Sequence, residues 1–203
     1  MTCSIHVIGQ IALSVNIFDA EENPNLELKR DKALYRTQTK NQEIWIIGYG
    51  NPRLGDDGIG PYIVKVLKKC ITDKEGICFC SILQLTPGLI KDLQNATLII
   101  FIEATVEKLK KGWRFLKVQP DFSYQPCLAH QVTPGFLLGQ LQSVYKRYPS
   151  VWLVYVQGYD FGLEEEFYPE TEKNIEGAIS FIYHFVKGNL KQENTEGIKK
   201  KGE

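Results

Sequence analysis

Net charge is absent from this chain: 24 Lys and Arg balance 24 Asp and Glu over 203 residues. Without an excess of either sign, no global field draws in nucleic acid or an anionic membrane. Histidine is scarce, at three residues (His6, His130 and His184), so imidazole chemistry has few candidates. No apolar run approaches the ~20 residues that a membrane span requires. The opening residues, Met1-Thr2-Cys3-Ser4-Ile5-His6, lack the basic-then-apolar layout of a secretory signal. The five cysteines (Cys3, Cys70, Cys78, Cys80, Cys127) are an odd set without disulfide-scaffold spacing. They fit a reducing cytosol, so the expected location is cytoplasmic. Cys78 and Cys80, two apart in a strand-like stretch, read as small core residues sharing one face.

Several signatures are missing as well. Gly48-x-Gly50 is followed at residue 53 by Arg53, so the dinucleotide fingerprint fails. There is no Walker loop, G-x-S-x-G elbow or H-E-x-x-H helix. Lys108, Lys110, Lys111 and Arg114 cluster near an expected hairpin and read as solvent decoration, not a nucleic-acid patch.

The chain is long enough for a real core and favours one domain over two. Residues 1–42 show only a loose alternation (Ile5, Val7, Leu13, Val15, Ile17) and then a polar stretch, so they read as an extension. Regular patterning begins at about Glu43. Strands are expected at Ile44–Gly48, Ile77–Leu83, Leu98–Ile102, Trp113–Val118 and Val151–Val156. Helices are expected from Ile59 to Leu67 with Pro61 in the first turn, Gly88–Leu93, Pro134–Tyr145 and Glu170–Val186. Residues 189–203 read as a charged, mobile tail. Alternating strands and helices over residues 43–188 imply a single-domain, three-layer α/β/α fold with a mostly parallel, doubly wound sheet.

In such a fold, ligands gather at the carboxyl edge of the sheet. Three places there carry metal-capable side chains. Asp56 and Asp57 follow the glycine turn at Gly48-Tyr49-Gly50-Asn51 and precede a helix. Either can cap that helix or do chemistry. Glu103 follows the buried run Leu98–Ile102, and a lone acid at that point can equally be a surface residue or a cap. His130 precedes a helix; alone it would more often be structural. Two carboxylates and one imidazole together make an O,O,N ligand set with open positions, suited to zinc, nickel or iron. The Cys127…His130 spacing also permits a thiol ligand or a Cys–His nucleophile, although C-x-x-H is common by chance.

At these residues the chain resembles the endopeptidases that mature the large subunit of nickel–iron hydrogenases. The family opens with G-x-G-N and, after a short loop, D-[DE]-G-x-G. Here the pattern runs Gly48-Tyr49-Gly50-Asn51-Pro52-Arg53-Leu54-Gly55-Asp56-Asp57-Gly58-Ile59-Gly60. A strand ending in an acid (Leu98 to Glu103) and a histidine before a later helix (His130) follow in the family's order, over about residues 43–187. Leu85-Thr86-Pro87 and Gly158-Tyr159-Asp160-Phe161-Gly162 look like the subgroup serving cyanobacterial-type hydrogenases. The resemblance implies a phosphorylase/hydrolase-like fold and a peptidase acting on the large-subunit precursor, expected as a monomer. It implies that Asp57, Glu103 and His130 bind nickel delivered inside the substrate. Asp56 would join the catalytic group by orienting Asp57, acting as a base or capping. The family usually has Asp where this chain has Glu103, one methylene longer, and residues 1–42 have no counterpart.

A second class stays open: a non-catalytic, metal-sensing or chaperone-like module that grips the precursor without cutting it. A third, phosphate binding at the Gly48–Gly50 turn, is opposed by the acid pair, which would repel the anion.

Overall fold

Long β-branched runs dictate the centre of the molecule. The computed structural model describes residues 43–72, 75–123, 132–163 and 166–199. The expected extension 1–42, His6, Cys127 and His130 lie outside the described residues. Five strands form one sheet: β1 (Ile44–Tyr49), β2 (Ile77–Ile82), β3 (Leu98–Thr105), β4 (Trp113–Lys117) and β5 (Ser150–Gln157). The spatial order is β2-β1-β3-β5-β4. All neighbours are parallel except β4 and β5. Burial on both faces explains why β1, β3 and β5 are almost continuously apolar in place of the alternation seen in half-exposed strands.

Helices cover both faces. Helix α1 (Ile59–Cys70) packs on β1, β2 and β3 and against helix α3 (Pro169–Lys199), which also lies on β4 and β5. The opposite face carries a 3₁₀ helix, Pro87–Asn95, and helix α2 (Pro134–Tyr145). There Leu89, Leu93, Leu137, Leu138 and Leu141 pack with Ile47, Ile99, Phe101, Val151 and Leu153 of the sheet. This is the expected three-layer, doubly wound architecture. No helix among the described residues is long and apolar enough to cross a membrane.

Three local expectations change. The segment after β3 does not form a hairpin with β4, because β5 lies between them. Strand β4 reverses direction at the sheet edge, where Phe115 stacks on Trp152 at 4.4 Å and meets Phe181 and Phe185 of α3. Arg114 accordingly is half-buried, paired with Glu107 at 2.8 Å, while Lys108, Lys110 and Lys111 face solvent. The second change is at Glu103, which lies inside β3 and not after it; pairing with β5 continues through Thr105. The third is the length of α3. It passes Gly188 and continues through residues 189–199, read from sequence as tail, because Lys, Gln and Glu there are good helix formers.

Chain order and spatial order together locate the crevice. From β1 the chain moves to β2 on one side, then returns to β3 on the other. The reversal lies between β1 and β3, and ligands of open α/β sheets bind at the carboxyl side of such a point.

Candidate functional site

The turn after β1 is built by close backbone approach. A methyl group on Gly48 would overlap the carbonyl of Gly60, and one on Gly60 would meet the backbone of Tyr49 and Ile102. Bare glycines at both positions let the start of α1 cross directly over β1 and β3. Gly50 has φ of 135°, a left-handed region that penalises side chains. It brings the chain back so that the Asn51 N–H donates to Asp57 Oδ2 at 2.7 Å. The motif's glycines therefore let Asp57 pack directly on the turn after β1.

The two acids of the pair diverge. Asp56 is fully buried. Its Oδ2 accepts from Tyr159 N–H (2.6 Å), Asp160 N–H (3.0 Å) and the Thr171 hydroxyl (2.5 Å), and its Oδ1 accepts from Tyr168 N–H (3.1 Å). The Asp56 N–H in turn donates to the Asp160 carbonyl at 2.7 Å. Neither acid caps α1, whose N-cap is Gly58 without a side-chain bond. Asp56 instead ties the turn after β1 to the loop after β5 and to the first turn of α3. Of the roles open to it from sequence, its geometry matches positioning: a sealed carboxylate with four donors has no face for a substrate. Asp57 is only half-buried and keeps one oxygen clear of the Asn51 contact.

Glu103 arrives from the neighbouring strand. Gly48 aligns with Ile102, so the next residues, Tyr49 and Glu103, lie side by side at the carboxyl end. The Tyr49 hydroxyl donates to Glu103 Oε2 at 2.6 Å. Burial raises the Glu103 pKa above its ordinary 4.5, the Tyr49 hydrogen bond pulls it back, and the negative charge of Asp57 pushes it up again. The charge of Asp57 is thus felt at Glu103, as a smaller influence than burial. Burial first, and then Glu103, push the Tyr49 phenol well above its usual range, so it is a neutral donor. Tyr155, opposite Glu103 on β5, is also pushed up by burial, then by Glu103.

Asp57 and Glu103 thus lie on neighbouring elements at the switch point between β1 and β3, and each places a carboxylate there. Among the described residues, no group of three His, Cys, Asp or Glu side chains converges to hold a metal. The expected third ligand, His130, lies outside the described residues. Two residues later, Val132 packs on the same core face as Tyr49 and Tyr155, which flank Glu103. Thr133 then caps α2, accepting from Phe136 N–H at 3.1 Å. His184 is exposed on α3, away from this edge. Cys78 and Cys80 are half-buried on β2, where burial raises both thiol pKa values.

Sequence reasoning missed Tyr49. Its signal was its place as the middle residue of Gly48-x-Gly50, one strand from the acid, readable only once β1 and β3 are known to be adjacent. It also missed an apolar rim. Leu83, Val106, Tyr159 and Leu163 are exposed just beyond the carboxyl ends of β2, β3 and β5.

No protein-family model matches the sequence, and no curated protein matches it. Solved structures do. A [NiFe] hydrogenase maturation protease, HycI, from Thermococcus kodakarensis KOD1 is 17% identical and superposes with a TM-score of 0.57, covering 76% of this chain and 99% of that one. The hydrogenase maturating endopeptidase HybD from E. coli is 22% identical, with a TM-score of 0.54 over 73% of this chain and 94% of its own. A hydrogenase 2 maturation peptidase from Thaumarchaeota archaeon SCGC_AB-539-E09 is 18% identical, with a TM-score of 0.53 over 72% and 99%. At these identities the likeness establishes the fold: this chain has the α/β architecture of those proteins.

Proposed function

We propose that this protein is an endopeptidase that removes a C-terminal peptide from the nickel-loaded large-subunit precursor of a nickel–iron hydrogenase. The observation that carries the reading is the pairing of Asp57 and Glu103 at the β1/β3 switch point, on a fold shared with hydrogenase maturation proteases. Two like charges held in a partly buried crevice repel until a cation shares them. A nickel ion presented by the precursor relieves that repulsion, so the loaded precursor gains binding free energy that the unloaded one does not. Carboxylate and imidazole donors suit nickel, and Asp57, Glu103 and His130 would be its ligands on this chain. Nickel is here part of the substrate.

Asp56 supports the site by fixing the turn that carries Asp57. The exposed Leu83, Val106, Tyr159 and Leu163 around the crevice suit a protein substrate better than a small molecule. Gly158–Gly162 and Leu85–Pro87 favour a cyanobacterial-type hydrogenase as client. The site of action is the cytoplasm, with the enzyme acting as a monomer.

The test is incubation of purified protein with nickel-loaded and nickel-free precursor, read by intact mass. The expected result is shortening of the loaded precursor alone. Tight binding without shortening would favour the non-catalytic, chaperone-like module, and equal cleavage of both would remove nickel from recognition.

A further inference from the structure

We propose that Tyr49 is a positioning residue for the cation site: its hydroxyl holds Oε2 of Glu103, so that the carboxylate offers Oε1 to a cation shared with Asp57. The inference deepens the reading above and rests on it. A glutamate has three side-chain torsions to fix, and an unrestrained one at a strand end samples many poses. Here the 2.6 Å bond from Tyr49 selects one. Tyr49 is itself fixed, since its ring packs on the α2-side core and meets Phe101 edge-on at 6.4 Å. Its backbone lies between Gly48, pressed against α1, and Gly50, which begins the turn to Asp57. A single residue therefore ties the geometry of Glu103 to the loop that carries the other acid. Among the described residues, Oε2 has this one hydrogen bond and Oε1 has none, so Oε1 is the freer of the two oxygens. Tyr155 stands on the other flank of Glu103, opposite it on β5, without a hydrogen bond to it.

The experiment uses cobalt(II) as a spectroscopic stand-in for nickel. Full-length wild type, Tyr49→Phe, Tyr155→Phe and Glu103→Gln are titrated with cobalt(II), recording affinity and visible ligand-field bands, with thermal unfolding as a folding control. Tyr49→Phe removes one oxygen and keeps the ring. We expect it to fold normally, bind cobalt(II) about 10-fold more weakly, as loss of a group supporting a ligand typically does, and show shifted bands. Tyr155→Phe should stay within twofold of wild type with unchanged bands. Normal affinity and an unshifted spectrum in Tyr49→Phe, with binding lost in Glu103→Gln, overturn the proposal while leaving the site reading intact. Equal weakening by Tyr155→Phe also overturns it. If wild type does not bind, or Glu103→Gln binds as wild type does, the site reading falls and the proposal with it.

Discussion

Replacing Asp56 with Asn should destabilise the protein by about 3 kcal/mol, although the two side chains are nearly the same shape. The carboxylate accepts four hydrogen bonds in a fully buried position, three on Oδ2 and one on Oδ1. An amide has one acceptor oxygen. With that oxygen placed at Oδ2, three bonds survive but lose their ionic partner, a change of about 1 kcal/mol each at most. The amide nitrogen then faces the Tyr168 N–H, donor against donor, and an unsatisfied buried donor costs ~1–3 kcal/mol. The sum, about 4 kcal/mol at its centre, is an upper figure because neighbouring terms do not add fully. Urea denaturation provides the assay. With a slope of ~1–3 kcal/mol/M, the midpoint should fall by at least about 1 M at unchanged slope. Hydrogen exchange should speed up at the amides of Tyr159, Asp160 and Tyr168 in particular. An unfolding free energy within about 0.5 kcal/mol of wild type, with those three amides still protected, would refute the reasoning.

Other consequences follow from the same geometry. Gly60→Ala should destabilise by ~1–3 kcal/mol or more, since the new methyl meets the backbone of Tyr49 and Ile102, which cannot rotate away; thermal unfolding reads this. The raised pKa of Glu103 makes its ionisation in the fold unfavourable. The stability from its protonated form is fully present below the ordinary value of 4.5 and is lost as pH rises through the raised value. Glu103→Gln should flatten that part of the pH–stability profile, measured by denaturation across pH, and should abolish cation binding at neutral pH. His130→Ala should abolish processing of nickel-loaded precursor while circular dichroism and urea midpoint stay unchanged; retained processing removes His130 from the site.

The elements that carry the site were legible where local pattern decides structure. Ile44–Ile47 and Leu98–Ile102 announce buried strands, and Pro61 and Pro134 mark helix starts, because burial on both faces and first-turn proline leave direct sequence traces. What escaped depends on contacts distant in the chain. The Asp56 partners lie 103 to 115 residues away, and nothing near Asp56 distinguishes it from Asp57. Tyr49 meets Glu103 through a parallel register that skips the intervening strand β2 in the chain. Strand β4 alternates as expected, yet its direction and its partner are set by aromatic packing on α3. The glycine turn was legible as a turn, but its purpose became clear only when Gly48 and Gly60 were found face to face.

The central claim is that Asp57 and Glu103 recognise the nickel carried by the precursor. Its most direct measurement compares wild type with the Asp57→Asn, Glu103→Gln double variant, which retains shape and removes both charges, using nickel-loaded precursor and intact-mass detection. The account predicts full shortening by wild type and an intact precursor with the folded double variant. Equal shortening by both proteins would contradict it.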